Sequence, residues 1–78
     1  MDLDNLVTMA NRIGAFFAAM PEREAALAGI AEHLRKFWEP RMRRQLLAAV
    51  DAGEVGALSD IVRDAVLAHR ASLEPAAA

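Results

Sequence analysis

The sequence predicts an all-α fold: a small bundle of four short helices, over about residues 3–20, 22–38, 40–52 and 59–71. Three observations predict it. Apolar residues recur at three- and four-residue steps through most of the chain, which places them on one stripe of a helix. No segment alternates apolar and polar residues with period two, as a half-buried strand would. The breaks in the pattern fall at helix punctuation: Pro21, Pro40 and the Gly53/Gly56 region. Short links between helices argue a bundle or a pair of helical hairpins. At 78 residues there is room for one domain and one thin core. Residues 1–71 are expected to form that domain, and 72–78 a flexible C-terminal tail.

Asp2 or Asp4 can cap the first helix, because a carboxylate accepts from the unpaired N–H groups and suits the positive end of the helix dipole. Leu3, Leu6, Val7, Ala10, Ile13, Gly14, Phe17 and Met20 then form one stripe. Met9 and Phe16 widen it, and that width suggests contact with more than one neighbour. Pro21 closes this helix and is expected to start the next.

Glu22 and Glu24 give the second helix an acidic first turn, the favourable charge there. Its apolar face is Leu27, Ile30, Ala31, Leu34, Phe37 and Trp38. Gly29 costs a helix interior about 1 kcal/mol relative to Ala, which close approach of another backbone would explain. Pro40 lacks an N–H and pushes Glu39 out of the α region, so the second helix should stop near Trp38 and Pro40 should be the first residue of the third. The chain turns a corner there. Met42, Leu46, Ala49 and Val50 are the third helix's expected buried positions. Arg41, Arg43, Arg44 and Gln45 make its first turn and a half polar and strongly basic, although cations near a helix N-terminus oppose the dipole by a few tenths to about 1 kcal/mol each. Such a placement asks for an explanation outside the helix. Asp51-Ala52-Gly53 ends it, with Gly53 able to take the left-handed cap. After a short loop Ser59 caps the fourth helix, whose Ile61, Val62, Ala65 and Ala68 face inward, with Val66 and Leu67 widening the stripe.

The chemical inventory argues against an enzyme. There is no Cys, so disulfides and thiolate metal sites are excluded. Only His33 and His69 could act as bases near neutral pH, and no His lies four residues from another. The glycines at 14, 29, 53 and 56 form no phosphate-binding loop. His33, at the border of an apolar face, reads first as a packing residue. His69 can serve a helix C-terminus. The net charge of −2 and pI of about 5.6 give no general bias toward nucleic acid or anionic lipid. No apolar run approaches the roughly 20 residues that span a bilayer, and the opening Met-Asp-Leu-Asp has no basic n-region, so the chain reads as cytoplasmic. A core of this size rarely supplies more than about 3–5 kcal/mol, which leaves a partner protein as the remaining source of stability.

What is unusual is gathered between His33 and Leu47. This stretch holds the only Trp and five of the nine basic residues around an internal Pro. Phe37 and Trp38 can each cover roughly 150–250 Å², and Trp and Arg are the types most enriched at interface hot spots. The arginines offer a bidentate fork to carboxylate or phosphate; a solvated charged face is the plain alternative. The run His33-Leu34-Arg35-Lys36-Phe37-Trp38-Glu39-Pro40-Arg41-Met42-Arg43 resembles the segment typical of the delta subunit of NAD-dependent, molybdenum-containing formate dehydrogenases. Leu6-Val7-Thr8-Met9-Ala10-Asn11-Arg12-Ile13 and Leu58-Ser59-Asp60-Ile61-Val62 fall where that family has its first and last helices. The likeness covers most of residues 3–70.

The resemblance implies that formate oxidation, or its reverse, is carried out by other subunits. The large alpha subunit holds bis-molybdopterin guanine dinucleotide and iron–sulfur clusters, while the beta and gamma subunits hold FMN and further clusters and serve NAD. This chain is then expected to hold no cofactor or metal of its own and no catalytic residue. It is expected to dock on the large subunit and support assembly, cofactor loading or stability of the complex. His33, Phe37, Trp38, Pro40, Arg41, Met42, Arg43 and Arg44 are the candidate partner-binding residues. The competing reading is a helical nucleic-acid-binding or regulatory module using the basic segment Arg35 to Arg44. A third is self-association, since an exposed docking face can pair with itself when the chain is isolated.

Overall fold

Asp2 starts the first helix, α1 (Leu3–Phe17), from an extended conformation, with its carboxylate accepting from the Asp4 N–H at 3.3 Å. The computed structural model describes residues 2–54 and 56–75. α1 ends three residues short of the expected boundary, in a turn where the Met20 N–H reaches the Phe17 carbonyl at 3.0 Å. The second helix, α2 (Arg23–Phe37), follows an extended Glu22, so Pro21 belongs to the link rather than to the helix start. Trp38 (φ −87°, ψ 135°) and Glu39 (φ −64°, ψ 151°) are extended, and Pro40 is the first residue of α3 (Pro40–Asp51), the corner expected of an X-Pro step. α3 closes in a Schellman turn: Gly53 at φ +72° donates to the Val50 carbonyl at 3.1 Å, and Glu54 to Ala49 at 3.0 Å.

The fourth segment departs most from expectation. α4 spans Asp60–Ala68, and His69 (φ −119°, ψ 27°) breaks the path before a single further turn, α5 (Arg70–Leu73). Ser59 occupies the N-cap position, but its hydroxyl makes no cap bond. His69 serves the helix end through its backbone: its N–H donates to the Ala65 carbonyl, and its carbonyl accepts from the Ser72 hydroxyl at 2.9 Å. Ser72 and Leu73, the first residues of the expected C-terminal tail, lie within α5. Leu73 is only 2% exposed and joins the core, because the break at His69 swings α5 back against α2 and α4. The rest of that expected tail, residues 76–78, lies outside the described residues.

The most extensive contact is between α2 and α4, while α1 packs on α2, α3 and α4. Leu6, Ile30, Leu34, Leu46, Val62 and Val66 are the large, fully buried side chains between them. Ala10, Ala26, Ala31 and Ala65 are buried as well, and their small size lets the helices approach. α1 and α4 approach closely at Gly14, where an added Cβ would stand 2.5 Å from Val62 Cγ2. Two pairs tie distant elements across the surface. Arg23 Nη2 meets Asp64 Oδ2 at 2.6 Å, joining α2 to α4, and Arg70 grips Asp51 with both guanidinium ends at 2.7 and 2.6 Å, joining α5 to α3. Both pairs are substantially exposed, so each contributes at most about 1 kcal/mol.

Several residues expected on the inner stripe face outward. Phe16, Met20, Phe37 and Leu67 are exposed large hydrophobics, and Ala68 is exposed too. Each stands at or near a helix end. Periodicity gives the angle of a side chain around the axis but not how far along it the neighbours reach. Among the described residues no helix is long and apolar enough to cross a membrane.

Candidate functional site

The corner at Pro40 sorts its aromatic pair. Because Trp38 leaves the helix in an extended conformation, its indole turns into the core and is 6% exposed. Phe37, the last residue of α2, keeps 71% of its surface in solvent and meets the His33 imidazole, with ring centroids 4.8 Å apart. Trp38 therefore supports the corner from inside. Phe37 is the ring it presents.

The basic residues divide in the same way. Arg35 and Lys36 share Glu32, at 3.5 and 3.0 Å. Lys36, first by its hydrogen bond and then by its charge, holds the Glu32 carboxyl below its ordinary value of 4.5. Arg43 Nη1 donates to the Arg35 carbonyl at 2.8 Å, so the last turn of α2 receives a cation, as its dipole favours. That contact supplies, inside the chain, part of the explanation that the basic start of α3 requires. Arg41 and Arg44 remain exposed, with no ion pair or hydrogen bond among the described residues. Pro40 is exposed between the two groups, and Met42 is half-buried against the core. Of the eight candidate residues, His33, Phe37, Pro40, Arg41 and Arg44 thus form the outward surface; Trp38 and Met42 pack inward, and Arg43 bridges α2 and α3.

Beside His33 the surface continues into a groove of about 340 Å³ lined by Arg12, Ile13, Phe16, Phe17 and His33. Phe16 is 76% exposed and meets Phe17 edge-on, with centroids 5.2 Å apart. Gly29 makes room for this arrangement: a Cβ there would fall 2.5 Å from Phe17 Cε1. The close neighbour of Gly29 is therefore a ring, not the backbone that spacing suggested. Periodicity places Ile13, Phe16 and Phe17 in the buried stripe and gives Arg12 no role. No spacing signal marked Phe16 as exposed, since successive helical residues such as Leu6-Val7 and Leu46-Leu47 are both buried in the one core.

A second residue that spacing did not single out is Asn11. Its side-chain amide donates to the Ala57 carbonyl at 2.9 Å and accepts from the Ser59 N–H at 2.8 Å, which pins the loop before α4 onto α1. Among the described residues no group of three or more His, Asp and Glu side chains is placed to hold a metal.

Residues 5–66, from within α1 to within α4, match the family model for the NADH-dependent formate dehydrogenase delta subunit, FdsD. The matched span contains the whole Pro40 corner and the groove. No curated protein and no solved structure matches the chain.

Proposed function

The chain belongs to the family of NADH-dependent formate dehydrogenase delta subunits, and on that basis we propose that it is a non-catalytic, cytoplasmic accessory subunit that docks on the molybdenum-containing large subunit of the complex and supports its assembly, cofactor loading or stability. One observation carries the docking reading. At the Pro40 corner an aromatic ring, Phe37, stands 71% exposed, followed by two arginines, Arg41 and Arg44, with no partner among the described residues. A small chain gains little by leaving a ring of this size in water, whereas rings and guanidinium groups are what buried interface centres use.

A protein partner fits this surface better than phosphate does. Of the basic segment Arg35 to Arg44, Arg35 and Lys36 are paired to Glu32 and Arg43 is bound to a carbonyl. Two free arginines make a weak electrostatic footprint for nucleic acid, which depends on neutralising many phosphates at once. The accessory role is supported by the residues available: no Cys is present, and the only two histidines stand far apart in sequence, His33 in ring contact with Phe37.

Arg41→Glu tests the reading, because Arg41 is exposed and its replacement leaves the core intact. With the tagged variant co-expressed with the other subunits, the large subunit should be captured in much lower yield and the isolated complex should lose activity. Wild-type capture and activity would remove the docking reading's main support.

A further inference from the structure

The groove beside the Pro40 corner extends the docking surface, and its assignment rests on the docking reading. Its walls are the side chains of Ile13, Phe16 and Phe17 and the His33 ring, with the Arg12 guanidinium on the same rim. Three properties define what fits it. At about 340 Å³ it lies at the low end of clefts that hold organic ligands, roughly 300–1,000 Å³, a size suited to a bulky side chain rather than a large cofactor. The Phe16 ring lies outside the core, and its one ring contact among the described residues is with Phe17. The ionisable groups of the rim are Arg12 and His33, with no carboxylate among the lining residues. Arg12, like Arg41 and Arg44, has no ion pair or hydrogen bond among the described residues, whereas Arg23, Arg35, Lys36 and Arg70 are all paired.

We infer that this groove seats a segment of the large subunit presenting one bulky apolar side chain with a carboxylate within about a helical turn of it. The apolar side chain enters between Phe16 and His33, and the carboxylate takes the Arg12 fork. A desolvated guanidinium–carboxylate pair is short and directional, and a cationic segment would be repelled from the same rim. The surface is continuous with the corner: His33 is shared between the groove and the Phe37 ring, so one partner segment can cover α1, the end of α2 and the start of α3 together.

The test is co-expression of the tagged chain with the other formate dehydrogenase subunits, measuring large subunit retained per tagged chain. Phe16→Ser, Arg12→Glu, Arg12→Lys and Arg41→Glu are compared with wild type. Phe16 and Arg12 are exposed, so the isolated variants should melt within a few degrees of wild type. Phe16→Ser and Arg12→Glu should each reduce retention about tenfold or more, the scale of an interface hot spot. Arg12→Lys should keep part of it, with a loss that grows as salt is raised. If Arg41→Glu abolishes capture while Phe16→Ser and Arg12→Glu retain the wild-type level, the groove inference is overturned and the docking reading stands. Wild-type retention by all four would overturn both. A loss with Phe16→Ser but none with Arg12→Glu would remove the carboxylate. If the isolated chain sediments as a dimer that Phe16→Ser disperses, with capture unchanged, a second copy occupies the groove and the inference fails.

Discussion

Replacing Gly14 by Ala sets two effects of known sign against each other at the α1–α4 crossing. Ala is favoured over Gly in a helix interior by about 1 kcal/mol. Against this, the added Cβ would stand 2.5 Å from Val62 Cγ2 and 3.2 Å from Ile61 Cγ2, where carbon–carbon contacts are ordinarily about 3.5–4.0 Å. The surfaces must part by about 1 Å. Val62 is fully buried and β-branched, with essentially one χ1 rotamer open to it in a helix, so its methyl cannot swing aside. Relief has to come from moving α1 off α4, which loosens contacts throughout the shared core. Overpacking of this kind costs about 1–3 kcal/mol, and with a rigid collision partner the upper part of that range applies. Net destabilisation of about 1–2 kcal/mol should therefore remain after the propensity gain. For a domain of this size that lowers Tm by about 4–8 °C per kcal/mol. Thermal unfolding followed by far-UV circular dichroism measures it. Val62→Ala removes the colliding methyl, so the double variant should be more stable than the sum of the single changes by about 1 kcal/mol. A Gly14→Ala protein melting at or above wild type, or a strictly additive cycle, would refute the reasoning.

Other consequences come from side-chain contacts. Asn11→Ala removes both hydrogen bonds to the loop before α4 and leaves the part-buried Ser59 N–H without its partner, so it should cost about 1–3 kcal/mol. Hydrogen exchange should quicken at Leu58 and Ser59 well before the α2 core; uniform acceleration would show that the clip is not local. Glu32 has a lowered folded-state pKa, so the stability it contributes is fully present above its unfolded value of 4.5 and is lost as pH falls through the folded one. Glu32→Gln should accordingly narrow the difference in Tm between neutral and acidic buffer, and salt should shrink the effect because both partners are exposed. An unchanged acid limb in low salt would show that the Lys36 and Arg35 contacts do not contribute.

Much of the fold was legible in the chain because it depends on neighbours within one helical turn. The Asp2 cap, the extended Glu39 before Pro40 and the left-handed Gly53 are local steric and hydrogen-bonding facts, and each stands where the residue types place it. The family likeness, too, was legible in the chain, and the family model matches residues 5–66. The outward surface was less legible. Phe37 and Trp38 are adjacent rings on the same expected face, and nothing in their spacing says which of them enters the core. The answer came from the backbone: Phe37 still belongs to α2, while Trp38 has left it and folds back under the corner.

The amino-acid sequence by itself determined four main helical segments, the corner at Pro40, a chemically bare inventory and the concentration of rings and cations about one proline. Only the tertiary structure decided that Gly29 yields space to the Phe17 ring, that Asn11 holds a loop 46 and 48 residues away, and that Arg43 closes α2 while Arg12, Arg41 and Arg44 have no partner among the described residues. The physical reason is range. Helix formation and capping are set within about four residues, whereas the covering of an apolar or charged group depends on how far a distant helix extends across it.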